Sequence, residues 1–297
     1  MRKLEGKVAV ITGSSRGLGL AIARAFTREG AAVVISSSSE PAVREAIVAL
    51  GGASERVSGI VADVGDLAQV QTLAAHARQT FGRIDIWVNN AGAAGVYGPI
   101  AAIPPGHYER IIRTNILGVY HGSLTAIQAF QAQRSGGKLI NVLGRGDDGK
   151  IPLYQSAYAT TKVWVRAFTR ALAREYKDSG IGVYALNPGL MDTAFLRKIE
   201  AIDGYEKRLA PLSAVIRLWG QPPSVPAEDA VYLASNATDG KTGIERRVIG
   251  PRLLLGGLLK EGVRILLRRP APDTSLTITT IPAYEPSIPE PQPTQQP

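Results

Sequence analysis

The sequence predicts an α/β fold, a parallel sheet covered by helices on both faces. Short β-branched apolar runs alternate with helix-length periodic segments over the first two-thirds of the chain, the pattern of a βαβ succession. The 297 residues are 45% hydrophobic and 20% charged, enough to bury one large core and too apolar for wholesale disorder. No internal repeat and no second domain of comparable size interrupts the alternation.

Residues 7–12, KVAVIT, open the chain as a strand, and Gly13 to Gly19 follow as a turn. Leu18, Ala21, Ile22 and Ala25 then recur at helical spacing over 18–29. A second strand at 31–35 ends in Ser36-Ser37-Ser38-Ser39. Further strands are expected at 58–62, 84–88, 138–143, 181–186 and 244–249. Residues 194–226 read as irregular, with Phe195, Leu196, Ile199, Leu209 and Leu212 among charges, closing on the breaker cluster Gly220-Gln221-Pro222-Pro223. That segment is expected to be mobile and to lie over something.

Composition excludes several chemistries. With no cysteine, disulfide scaffolds, thiol nucleophiles and cysteine-ligated zinc fall away together. His76, His107 and His121 show no metal-ligand spacing. No run reaches the roughly 18 apolar residues of a membrane-crossing helix, and the first residues read as a strand, not as a signal peptide. A cytoplasmic location is the expectation.

The formal charge of +9 is uneven. Residues 246–269 hold seven cations (Arg246, Arg247, Arg252, Lys260, Arg264, Arg268 and Arg269) against Glu261 alone, so most of the excess is local.

The chemistry-bearing motifs fall at strand ends. In Thr12-Gly13-Ser14-Ser15-Arg16-Gly17-Leu18-Gly19, glycines between a strand and a helix let the backbone approach a pyrophosphate, which the helix N-terminus favours. This spacing departs from G-x-G-x-x-G, and alone it is also compatible with a plain β–α turn. Asp63-Val64 ends the third strand and Asn89-Asn90-Ala91-Gly92 the fourth. Tyr158-Ala159-Thr160-Thr161-Lys162 opens a helix, and Asn187-Pro188-Gly189 ends another strand, with Met191 and Thr193 after it. All belong to the carboxyl edge, where open α/β sheets bind ligands.

The ordered set TGxxxGxG, NNAG, YxxxK and PG-x-x-x-T resembles the classical short-chain dehydrogenase/reductase (SDR) family over roughly residues 5–250. The resemblance implies a Rossmann-like doubly wound sheet, a nicotinamide cofactor, and a homodimer or homotetramer acting on a small-molecule carbonyl or alcohol. Its cofactor residues would be Gly13, Ser15, Arg16, Gly17, Leu18, Gly19, Ser37, Ser38, Asp63, Val64, Asn90, Ala91, Gly92, Tyr158, Lys162, Pro188, Gly189, Met191 and Thr193.

A phenol is a poor base at neutral pH. A lysine ammonium one helical turn away, with an oxidised nicotinamide, would favour the phenolate. Tyr158 would then take the hydroxyl proton in oxidation or give one in reduction. By the same resemblance Lys162 holds the nicotinamide ribose, and Asn115, in RTNILGVY, relays protons to it through water.

One family residue is missing. The carbonyl-polarising serine falls on Gly144 or Arg145, depending on register, and neither carries a hydroxyl. Backbone N–H groups or the Arg145 guanidinium could act instead, Ser156 is a weaker substitute, and a solvated Gly/Asp turn is the bland alternative. The gap keeps a second function open: a cofactor-binding sensor or scaffold without catalysis.

At the end of the second strand, where family members using NAD carry an acid, the run Ser36–Ser39 has none before Glu40. With Arg16 able to pair a 2′-phosphate, NADP is expected over NAD, which is not excluded. By the same resemblance, residues 94–107 and 194–226 would flank the nicotinamide; their Val96, Tyr97, Ile100, Phe195 and Leu196 suggest a small or medium apolar substrate, although such side chains equally close a lid.

Beyond the expected domain of residues 1–250, residues 252–268 place Lys260, Arg264 and Arg268 on one helical face and leucines over most of the rest. Gly256, Gly257 and Gly262 weaken that helix in isolation. Packing on protein is the default reading and an anionic membrane surface the runner-up. Nucleic acid comes last, since no aromatic residues interleave with the cations. A short strand at 275–281 closes an extension spanning 251–281, and 282–297, rich in proline and glutamine, is expected to be disordered.

Overall fold

A computed structural model describes residues 2–285. Its main sheet has seven parallel strands: β1 (Val8–Ile11), β2 (Ala32–Ser37), β3 (Val57–Val61), β4 (Ile86–Asn89), β5 (Gly137–Val142), β6 (Ile181–Asn187) and an edge strand, Glu245–Arg247. Their order is β3-β2-β1-β4-β5-β6-edge. The chain runs outward from β1 to β3, then crosses back beside β1 as β4, so the switch point lies between β1 and β4. A Rossmann-like sheet opens its ligand crevice there.

Alternation along β1 sends its side chains to two cores. Ala9 and Ile11 pack with Ile22 and Phe26 of α1 (Gly17–Arg28) and with Ala230 and Val231 of a later helix (Ser224–Ala234). Val10 faces the opposite layer, with Leu73 and Ala77 of Leu67–Phe81 and Ile127 and Phe130 of Gly118–Gln133. In chain order the helices are α1, α2 (Glu40–Ala49), α3 (Leu67–Phe81), α4 (Pro105–Ile112), α5 (Gly118–Gln133), α6 (Ser156–Glu175), α7 (Ala194–Arg197), α8 (Ala210–Trp219), α9 (Ser224–Ala234) and α10 (Pro251–Leu266).

Residues 194–226 depart from the irregular segment that their mixed composition suggests. They contain α7, strand β7 (Lys198–Ile202) and α8, and run into α9. The order comes from a partner distant in sequence. A strand of the C-terminal extension, Thr277–Ile281, pairs with β7 in parallel, from Lys198↔Thr277 to Ile202↔Ile281. With the edge strand as β8, this one is β9. On its other side β7 meets Tyr97, whose N–H donates to the Glu200 carbonyl at 2.9 Å while its carbonyl accepts from Ile202 N–H. Residues 286–297, part of the proline-rich tail, lie outside the described residues. Among the described residues no helix is long and apolar enough to cross a membrane, and no metal-ligand cluster occurs.

Candidate active site

The glycine turn is held against the ends of β2 and β4. Ser14 Oγ donates to the Ile11 carbonyl and accepts from Ser36 N–H, tying the turn to the buried end of β2. Thr12 Oγ1 accepts from the N–H groups of Asn90 and Ala91, while Asn90 Nδ2 donates to the carbonyls of Thr12 and Gly13, each at 2.9 Å. Contact this close requires glycine: a β-carbon on Gly13 would lie 2.7 Å from Ala91 Cα. At Gly17, φ is +56° and a β-carbon would meet nothing within 4 Å, so glycine serves the left-handed backbone there and leaves the first turn of α1 uncrowded. Arg16 is the N-cap residue and exposed, Ser38 is exposed, and Ser37 is partly covered. Asp63 accepts from Gly65 N–H and pairs with Arg113, and buried Val64 lies against Gly118.

Asn115 does not lie in a regular α-helix. Arg113–Leu117 form a π-helical turn between α4 and α5, the type of insertion that re-aims a side chain. Asn115 is fully buried; its Oδ1 accepts from Ala93 N–H at 2.8 Å, and its Nδ2 donates to the Ala93 carbonyl and Thr161 Oγ1. A β-carbon on Gly92 would sit 3.6 Å from Asn115 Oδ1 and 4.0 Å from Lys162 Nζ, so both groups lie close to Gly92.

Tyr158 and Lys162, one turn apart on α6, converge at the end of β5. Lys162 Nζ lies 5.7 Å from the Tyr158 ring centroid and donates to the Val142 carbonyl at 3.2 Å. An ammonium carries three donors; that carbonyl is its one hydrogen-bond acceptor among the described residues, which leaves two donors unused. Burial pulls the Lys162 ammonium down to about 8, against the opposing pull of the Asp147 carboxylate. Burial, and then Asp147, push the Tyr158 phenol up.

The lysine shift has a measurable consequence for the protein without cofactor. The folded-state pKa lies below the unfolded value of 10.5, so between about pH 8 and 10 the unfolded chain binds more protons at this residue. Stability from this group rises with pH over that window, by up to about 3 kcal/mol, until titration of Tyr158 opposes it. Denaturant melts of the parent and Lys162→Met should therefore converge as pH rises from 8 to 10. A pH-independent gap would contradict the shift.

The loop after β5 provides a carboxylate where the sequence suggested a polarising donor. Arg145 is exposed, whereas Asp147 is buried and pairs with Arg247 on β8 at 2.8 Å. Gly144 faces the phenol: a β-carbon there would overlap the Tyr158 hydroxyl and come within 3.2 Å of Lys162. The Asp147–Arg247 pair joins residues 100 apart, and nothing local in the sequence announces it.

Of the apolar residues expected beside the nicotinamide, Phe195 is half exposed and its ring lies 6.2 Å from that of Tyr158. Val96 instead packs in a small core with Ile103, Ile111 and Ile202, and Ile100 points to solvent. Tyr97 joins Tyr154 and Tyr205 in an edge-to-face chain with Arg208 against it, an aromatic wall that spacing did not reveal. Buried Pro188 and partly buried Gly189, the latter with φ +71°, turn the chain out of β6, Met191 bridges to Gln221, and Thr193 is the N-cap residue of α7.

Comparison with known proteins agrees with this geometry. The family model for short chain dehydrogenases matches residues 7–203. A 3beta-hydroxysteroid dehydrogenase from Eggerthella lenta is 36% identical over 258 residues, 86% of this chain and 96% of that protein. The oxidoreductase UcpA of Salmonella typhimurium is 34% identical over 270 residues, 89% of this chain and 99% of its own. Among solved structures, a 3-ketoacyl-(acyl-carrier-protein) reductase from Brucella melitensis complexed with NADH superposes with a TM-score of 0.72 at 29% identity, covering 84% of this chain and 99% of that one.

Proposed function

The chain belongs to the short-chain dehydrogenase/reductase family, and on that premise we propose that it is an NADP(H)-dependent oxidoreductase interconverting a carbonyl and an alcohol. The observation that carries the reading is the Tyr158–Lys162 pair, set beside a glycine turn whose open first helical turn suits a pyrophosphate. When bound, the dinucleotide supplies or accepts the hydride. In reduction Tyr158 gives its proton to the substrate oxygen, and in oxidation it takes one back. Lys162 directs its two remaining donors to the nicotinamide ribose and lowers the cost of the phenolate. Asn115, held by Ala93 and Thr161, faces the ammonium and passes protons to it through water. With glycine at 144, the Tyr158 hydroxyl itself polarises the carbonyl.

NADP is preferred over NAD because the end of β2 offers serine hydroxyls and no carboxylate, with Arg16 exposed beside it to pair a 2′-phosphate. The Brucella neighbour holds NADH, so these positions are the ones to test. A panel of apolar ketones and secondary alcohols should turn over with NADPH or NADP faster than with NADH or NAD. Ser37→Asp should move the ratio of kcat/KM values toward NAD by about a hundredfold, through repulsion of the phosphate and new bonds to the ribose. An unchanged ratio would refute the NADP assignment. Tight dinucleotide binding with no turnover across the panel would favour the non-catalytic sensor that the missing serine keeps in view.

A further inference from the structure

Helix α10 docks on its own protein with the polar side of its circumference. Leu253, Gly257, Glu261 and Arg264 recur at the spacing of one face and are the less exposed positions of the helix. Glu261 pairs with Arg264 and with Arg217 of α8; Arg264 first, and then Arg217, hold its carboxyl down at about 2. Gly257 lets the backbone close on α8, because a β-carbon there would strike the Leu218 carbonyl and Trp219, and Trp219 Nε1 donates to the Leu254 carbonyl.

The leucines consequently face outward and do not pack on the parent domain, one of the two protein surfaces, with a sister subunit, that the sequence offers as their default cover. Leu254, Leu255, Leu258, Leu259, Val263, Ile265 and Leu266 cover about half of the circumference. Leu255, Leu259 and Leu266, near the centre of that arc, are 62%, 69% and 80% exposed. The cations also divide differently from their sequence spacing. Arg264 turns inward to Glu261, and Arg268 lies beyond the helix end with φ +51°. Lys260, Arg268 and Arg269 are exposed and have no ion-pair partner among the described residues. Glu261 is the one acid between residues 246 and 272, and it is turned away from them.

We propose that α10 is an interfacial helix that lays this aliphatic face on an anionic lipid surface. A half-circumference of leucine edged by unpaired cations, with its acid sequestered, matches what such a surface binds. Charge decides against a second copy of the chain as the occupant, because a face-to-face pairing would bring two sets of Lys260, Arg268 and Arg269 together without a facing carboxylate. The ion pair to α8 and the bond from Trp219 fix the orientation of a helix that three glycines would leave marginal in isolation. The inference is independent of the reaction proposed above.

Cosedimentation of the full chain with vesicles of equal parts phosphatidylserine and phosphatidylcholine, and with phosphatidylcholine alone, tests it. Binding to the anionic vesicles should exceed that to neutral ones by about tenfold or more. The triple variant Leu255→Ser, Leu259→Ser, Leu266→Ser should lose about a hundredfold in partitioning at an unchanged melting temperature, since these side chains touch solvent in the folded protein. Lys260→Glu with Arg268→Glu and Arg269→Glu should remove the preference for anionic lipid. No binding by the parent chain, or binding retained by the leucine variant, would overturn the proposal. So would a parent that ignores vesicles but sediments as a larger particle than the leucine variant, which would assign the face to a second copy.

Discussion

Tyr158→Phe is expected to lower kcat by about 10³-fold or more while changing dinucleotide affinity only a few-fold. The ring keeps its packing against Phe195 and the Lys162 side, so the pocket shape survives. What disappears is the hydroxyl that, on the proposed mechanism, exchanges a proton with the substrate oxygen, and position 144 has no side chain to substitute. An enzyme with the family's serine would retain a second hydroxyl there; this chain does not, so the phenylalanine variant should be close to inert. Lys162→Met provides the contrast, because on the proposed mechanism the two ammonium donors not used by the Val142 carbonyl bind the ribose, so this variant should weaken dinucleotide binding as well as turnover. Fluorescence titration of NADPH separates the two variants. Substantial activity in Tyr158→Phe, or equal binding defects in both, would remove Tyr158 from the acid/base role.

The sheet and the clustering of motifs at its carboxyl edge were legible because both depend on local patterns. Runs such as KVAVIT alternate with periodic segments, and a glycine forced by close approach, like Gly13 against Ala91, leaves a mark in the sequence itself. Contacts between distant segments leave none. Residues 194–226 looked irregular because β7 finds its partner about 80 residues later, in β9. The sequence leaves the loop after β5 open between a polarising donor, from backbone N–H groups or Arg145, and a solvated Gly/Asp turn, because nothing local shows that Asp147 is buried against Arg247 while Arg145 is exposed. On α10 the amphipathic pattern is legible, but hydrophobicity alone does not say which face meets the parent domain. The deciding contacts are Glu261 to Arg217 and the backbone approach at Gly257.

Arg247→Met should destabilise the fold by about 2 kcal/mol and distort the pH dependence of turnover. The Asp147 carboxylate is only 2% exposed, and Arg247 is its one ion-pair partner among the described residues. Removing one member of a buried pair costs roughly 3–5 kcal/mol because a charge is left uncompensated. The smaller figure applies because the Arg247 side chain keeps 36% of its exposure, so water already screens part of the interaction. Asp147→Asn combined with Arg247→Met removes the stranded charge and should regain most of the loss, which a merely space-filling role for Arg247 would not allow. The charge also acts on the site, because Asp147 raises both the phenol of Tyr158 and the ammonium of Lys162. Asp147→Asn should therefore move the alkaline ionisations in a kcat profile to lower pH, whereas Arg247→Met, which leaves the carboxylate without its counter-ion, should move them to higher pH. Opposite displacements from the two single variants would identify the pair as an electrostatic setting on the catalytic tyrosine. Displacements in the same direction would mean that both changes act by deforming the loop around Gly144.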